Sequence, residues 1–236
     1  MEHKENCILC GAKLVYLDTP KEMECIYCHK KVMSQVSCEN GHFICDECHS
    51  ESGLHHIMEV CLESHETDPM VLARQLFQDS RIYMHGPEHH VLVPAVLTAV
   101  YLNKIGQPEL KQSYLALALD RGSKVPGGSC GFSGCCGAGV GVGIFFSIIC
   151  KTTPLDETLW GQVNRATGQA LLNIGKYDGP RCCKRNTFIA FETADAILKE
   201  TQGITLMEHT PVCGWFPHNE ECLKETCAYY PKRDRQ

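Results

Sequence analysis

The sequence has no excess of positive charge, no apolar run of membrane length and no phosphate-binding glycine motif. Each absence removes a class of function. Lys and Arg number 22 against 28 Asp and Glu, a net charge of −6, which gives no general ground for nucleic-acid binding. The longest apolar run, Val140 to Cys150, is too short to span a bilayer. Met1 to Asn6 is polar and leads straight into a CxxC pair, so no secretory signal is expected there. The expectation is a soluble, cytoplasmic protein without membrane contact. Glycine-rich stretches occur, but none spells G-x-x-x-x-G-K-S/T, and their spacing misses G-x-G-x-x-G. Outside the first fifty residues no period-2 strand pattern is found.

Cysteine is what the chain has in abundance, 17 in 236 residues. In a reducing compartment, CxxC and CC clusters are more often metal ligands than disulfides. So many thiols suit an anaerobe. The 44% hydrophobic and 21% charged composition suits one mid-sized domain plus a small module.

Seven cysteines fall within residues 7–48. The order is Cys7-x-x-Cys10, Cys25-x-x-Cys28, then Cys38, His42, Cys45 and Cys48. A CxxC turn sets two thiolates on one side of a knuckle, and two knuckles supply the tetrahedron zinc requires. Eight ligands make two zinc sites. Sequential pairing groups Cys7, Cys10, Cys25 and Cys28 against Cys38, His42, Cys45 and Cys48. Cross-braced pairing is the alternative, and His49 is an alternative to His42. The stretch has few large apolar side chains, so metal must hold it together. The expectation is a zinc-ribbon-like module over residues 1–52, its zinc structural.

From Gly53 onwards, apolar residues recur at spacings of three to four. Helices are predicted over 54–64, 70–79, 89–104, 109–121, 144–150, 155–174 and 186–201. Residues 53–236 are thus an α-helical, cysteine-rich domain, and the fold class is mostly α. Between the helices, Pro126 to Gly143 reads as a Gly/Cys-rich loop, and the Cys-rich tail after Thr210 as irregular.

Two further groups carry chemistry. Met84-His85-Gly86-Pro87-Glu88-His89-His90 stands at a helix start, with Pro87 suited to the first helical position. His85, Glu88, His89 and His90 are candidate acid/base, anion-binding or metal-binding groups. Cys130, Cys135 and Cys136 in the glycine-rich loop, and Cys182 and Cys183 further on, each precede a predicted helix. Helix N-termini favour anions, and thiolates there suit an iron–sulfur cluster. Cys213, Cys222 and Cys227 are spare candidates, whereas Cys61 and Cys150 read as buried and inert.

These residues carry a resemblance. Gly128-Ser129-Cys130, Thr153-Pro154 and Cys182-Cys183-Lys184-Arg185-Asn186 resemble the catalytic domain of iron–sulfur L-serine dehydratases over about sixty residues. That likeness implies a [4Fe–4S] cluster with Cys130 and Cys182 as two ligands. The third would be Cys135, Cys136 or Cys183, and an open iron would bind a small-molecule substrate. The loop from Gly134 to Gly139 also resembles small cysteine-rich proteins with a Gly-Cys-Ala-x-x-Gly motif. As a whole, with its His-rich segment and its Cys-x-Tyr-Tyr-Pro ending at Cys227 to Pro231, the chain resembles an uncharacterised family of anaerobes and methanogens. An iron–sulfur-dependent enzyme or enzyme component, lyase-like or sulfur-handling, is therefore expected. The alternative is a non-catalytic zinc-binding adaptor with a protein partner on the zinc module. Nucleic acid is disfavoured, although Lys21, Lys30 and Lys31 give the module a local basic face.

Overall fold

In the computed structural model, which describes residues 6–208 and 210–232, the metal-ligand motifs bracket a β-hairpin. Strands β1 (Leu14–Glu24) and β2 (Lys31–Cys38) pair antiparallel, with an irregularity between Tyr16 and Lys21. Most of the hairpin is exposed, so side-chain burial alone does not hold it. The rest is helical: 52% of the structure is helix and 8% strand.

Eight helices follow among the described residues: α1 (Asp46–Glu63), α2 (Pro69–Phe77), α3 (Glu88–Lys104), α4 (Lys111–Gly122), α5 (Ser129–Phe132), α6 (Gly137–Ile149), α7 (Trp160–Ile174) and α8 (Cys183–Gln202). None is long and apolar enough to cross a membrane. Helix α2 begins as its sequence dictates, with Pro69 in the first turn and the Asp68 carboxylate accepting from Met70 N–H at 2.7 Å. Helix α3 is apolar on every face, and Val91 to Val100 is buried throughout. Such a helix belongs at the centre of a bundle, and α1, α4, α6 and α8 surround it.

The glycine-rich stretch departs from expectation. It is interrupted by the short α5, and Gly137 to Gly143 forms the first half of α6. Glycine in a helix interior costs about 1 kcal/mol relative to alanine, and close packing offsets that cost. A Cβ on Gly141 would lie 2.9 Å from Val93 and Pro94 of α3, one on Gly139 would lie 2.7 Å from Leu171, and one on Gly143 would collide with Thr167. The glycines let α6 approach α3 on one side and α7 on the other.

After α8 ends at left-handed Gly203, the tail folds back over α2 and α8. Trp215 donates its indole N–H to Phe77 O at 3.1 Å, Cys213 N–H donates to Tyr229 O at 2.7 Å, and the Tyr229 hydroxyl donates to Glu192 at 2.6 Å. Short 3-10 turns at Phe216–His218 and Lys224–Thr226 are its regular elements.

Candidate metal centres and the cysteine–histidine region

All seventeen cysteines are free of disulfides. Eight ligands gather into two sets: Cys7, Cys10, Cys38 and His42, and Cys25, Cys28, Cys45 and Cys48. Within each set the ligand atoms lie within 4.8 Å of one another. The first knuckle pairs with the third and the second with the fourth, so of the two pairings open in the sequence the cross-braced one is found. Cys10 and Cys38 bring their sulfurs to 3.8 Å, Cys28 and Cys45 to 3.6 Å, and His42 Nδ1 lies 3.3 Å from Cys10 Sγ. His49 takes no part; its ring packs against Tyr83, 4.7 Å between centroids.

The first two knuckles share one geometry. Gly11 N–H donates to Cys7 O, and His29 N–H donates to Cys25 O. Gly11 and His29 both hold positive φ, at 73° and 58°. The left-handed residue turns the chain so that the two thiols of each CxxC face one point. Backbone N–H groups aim at the sulfurs: Cys45 N–H at Cys25 and His42 N–H at Cys38, each at 3.4 Å. The N–H of Ala12 draws the Cys10 thiol down to about 6. Burial acts to raise Cys25, but the amides of Cys28, Cys45 and Tyr27 outweigh it and bring that thiol to about 6. Thiolates, not thiols, bind metal.

The module is fused to the helical domain. Cys48, a ligand, sits in the first turn of α1, which runs without a break to Glu63. The Asp46 carboxylate accepts from Gly127 N–H at 2.6 Å, and a Cβ on Gly127 would strike that carboxylate. Tyr16 of β1 reaches the cysteine region, with Phe132 6.5 Å from its ring and the Arg181 guanidinium 5.7 Å above it.

The four histidine-segment candidates are buried but differently engaged. His89 donates from Nε2 to Tyr83 O at 3.1 Å, and its Nδ1 faces the Thr187 hydroxyl at 3.4 Å. His90 donates from Nδ1 to Val125 O at 2.9 Å, and its ring occupies the space a Cβ on Gly137 would need. Glu88 is fully buried and accepts from Tyr83 N–H at 3.0 Å. Burial pushes its carboxyl up to about 7, against the opposing pull of Lys184. His85 faces the second cysteine pair: its Nδ1 accepts from Cys183 N–H at 3.5 Å, and Nε2 lies 3.5 Å from Glu221. Burial, then the charge of Arg181, lowers it to about 3, so the ring is neutral.

The five cysteine candidates divide. Burial raises the Cys130 and Cys183 thiols, and the nearby Cys136 adds to both shifts, which places the three within electrostatic reach of one another. Asn186 at the start of α8 donates to Cys136 Sγ at 3.3 Å, bridging the two loops. Cys182 has other thiol neighbours, Cys213 and Cys227, and lines a cavity with them and Cys222. Met84 reaches that cavity from the histidine segment; His85, His89 and His90 do not line it. Lys184 is completely buried beside it, its Nζ 4.2 Å from the Phe77 ring centre, and burial lowers it to about 8. Cys61 is an inert core thiol, pushed up to about 12 by burial. No short spacing in sequence links Cys182 to the tail cysteines; tertiary folding brings them together.

The fold and site define a mostly helical protein whose N-terminal module carries two cross-braced Cys/His sets that could hold metal ions. The model of a family of unknown function (DUF5714) matches residues 57–230, and the chain belongs to that family. The matched span takes in the histidine segment, all later cysteine loops and the tail, and it begins after both four-ligand sets. No curated protein and no solved structure matches the chain.

Proposed function

We propose that this chain is a metalloprotein with two structural zinc ions in its N-terminal module and an iron–sulfur centre in its helical domain. It would serve as an iron–sulfur-dependent enzyme or enzyme component, lyase-like or sulfur-handling. The sulfur–sulfur distances of 3.6 and 3.8 Å support zinc: ligands on ~2.3 Å bonds stand roughly 3.8 Å apart in a tetrahedron. Four protein ligands close each ion, so zinc there holds the fold and leaves no open position.

The observation that carries the iron–sulfur reading is the meeting of two cysteine-bearing helix starts, α6 behind Cys136 and α8 behind Cys182, joined by the Asn186–Cys136 hydrogen bond. Helix N-termini favour an anionic group, and a thiolate-ligated cluster is one. In this reading His85 moves protons beside the cysteines, and Arg181 holds a substrate carboxylate. Glu88, His89 and His90 fix the start of α3. Free thiols in such number suit a reducing, cytoplasmic setting.

Anaerobic purification with zinc, iron and acid-labile sulfide quantified, plus a visible spectrum, tests the reading. Zinc together with iron and sulfide supports it. Zinc alone overturns it in favour of a non-catalytic adaptor, a second reading that the exposed Ile26, Tyr27 and Met33 on the module favour.

A further inference from the structure

We propose that Cys182, Cys213, Cys222 and Cys227 are the four ligands of a [4Fe–4S] cluster seated beneath the C-terminal tail. The inference rests on the iron–sulfur reading above but moves its ligands: Cys182 stays, and the other three come from the tail instead of from the α6 loop, whose Cys136 is then a neighbour and not a ligand.

All four cysteines line one partly open cavity beneath the tail. Their spacing separates them from the N-terminal sets. No three of these sulfurs gather within the 4.8 Å that unites each of those sets. A single tetrahedral ion needs sulfurs roughly 3.8 Å apart. A cluster stands between its ligands and holds them farther apart.

The sulfurs are also furnished with donors. Cys182 accepts from Arg185 N–H at 3.4 Å and from the Asn219 side-chain amide at 3.5 Å. Cys222 accepts from Lys224 N–H at 3.3 Å, and Cys213 from the amides of Trp215 and Phe216. N–H groups aimed at sulfur stabilise thiolate and tune a cluster bound to it. Burial works the other way and pushes the Cys182 and Cys213 thiols up, a cost that metal ligation offsets.

Charge supplies an independent indication. Arg185 lines the cavity, is 5% exposed, and keeps its Nη1 buried without a hydrogen-bond partner among the described residues. Lys184, fully buried, lines the same cavity. Lys184 already has the Glu88 carboxyl and Tyr83 O as partners, so Arg185 is the enclosed cation left facing the cavity, and such a cation is costly unless an anion joins it. A four-thiolate cluster is net negative and answers Arg185. Trp215, Phe216 and Tyr230 wall the space with rings, limiting water at the cluster. With all four irons ligated by cysteine, the centre has no open iron, so this ligand set sets aside the lyase-like form of the reading and leaves single-electron exchange or a structural hold on the tail.

Anaerobic reconstitution of the full-length protein with ferrous iron and sulfide tests this. The expected wild-type product carries about four irons and four sulfides per chain in addition to zinc, and one-electron reduction by dithionite yields an electron paramagnetic resonance signal. Cys213→Ser and Cys227→Ser lose iron, sulfide and signal while zinc and far-ultraviolet dichroism persist. Cys130→Ser and Cys136→Ser keep the cluster. Alkylation mapping of the wild type covers the case in which a variant misfolds: the four thiols are protected until iron is chelated. If Cys130 and Cys136 are the protected and iron-bearing residues, this ligand set is wrong and the iron–sulfur reading stands. If the wild type takes up no iron, or a third zinc instead, both fail.

Discussion

Cys10 and Cys38 hold their sulfurs 3.8 Å apart across 28 residues, and the β-hairpin that joins their knuckles also carries Cys25 and Cys28 at its far end. The two ligand sets are thereby interleaved along one short chain. Breaking either set removes a support of the other.

Cys7→Ser or Cys25→Ser is therefore expected to lose its own metal and to loosen the second site, unfolding the hairpin while α2 to α8 keep their core. Structural zinc contributes on the order of 10 kcal/mol in small modules, far more than the exposed hairpin holds by burial. Metal stoichiometry and limited proteolysis measure this. A variant that retains both metals and a protected hairpin would contradict it.

Asp46→Ala removes the acceptor of Gly127 N–H. Asp46 is exposed, so solvent screens the bond, and a loss of about 1 kcal/mol is expected. The sharper signal should be faster proteolysis between residues 126 and 136. Unchanged cleavage there would show that this contact does not anchor the loop.

Gly141→Val tests whether α6 and α3 need bare backbone. Its Cβ alone would meet Val93 and Pro94 at 2.9 Å, and overpacking of this kind costs roughly 1–3 kcal/mol. Chemical denaturation of Gly141→Val and of Gly168→Val gives the comparison, since nothing lies within 4 Å of a Cβ at Gly168. Equal losses at the two sites would refute a packing role.

Glu88 makes a pH-dependent prediction. Its carboxyl is raised from 4.5 to about 7 by burial, so the native state binds a proton more readily than the unfolded chain between those values. Stability contributed by the protonated group is present below about pH 4.5 and is lost as pH rises through 7. Glu88→Gln, which keeps an acceptor for Tyr83 N–H, should gain on the wild type across that window, by up to about 3 kcal/mol. Urea midpoints at pH 5 and pH 8 decide it: a gap that does not widen at the higher pH defeats the assignment.

Much of the helical domain was legible because its apolar residues recur at helical spacing, and α3 and α8 start within a few residues of their predicted positions. Helix α6 was legible only from Ile144 onwards. Its first half, Gly137 to Gly143, reads as a loop until the partners Val93, Thr167 and Leu171 are known, and those come from elsewhere in the chain. All eight metal-set residues were legible by spacing, but their pairing was not, since sequential and crossed knuckles need the same local motif. The density of His85, His89 and His90 was visible in sequence; that His89 and His90 spend their nitrogens on Tyr83, Thr187 and Val125 follows only from burial. Cys182 and the tail cysteines are brought to one cavity by the Trp215 and Tyr229 anchors, a tertiary effect with no period to read.

The placement of Cys48 in the first turn of α1 sets an order of assembly during synthesis. The first ligand set is complete once residue 42 has left the ribosome and the second once residue 48 has, before any of α2 to α8 has emerged. Asp46 and Tyr16 are then already in position when their later partners, Gly127 and Arg181, emerge. A module folded at that stage would offer the later cysteine loops a surface to dock on through Asp46 and Tyr16.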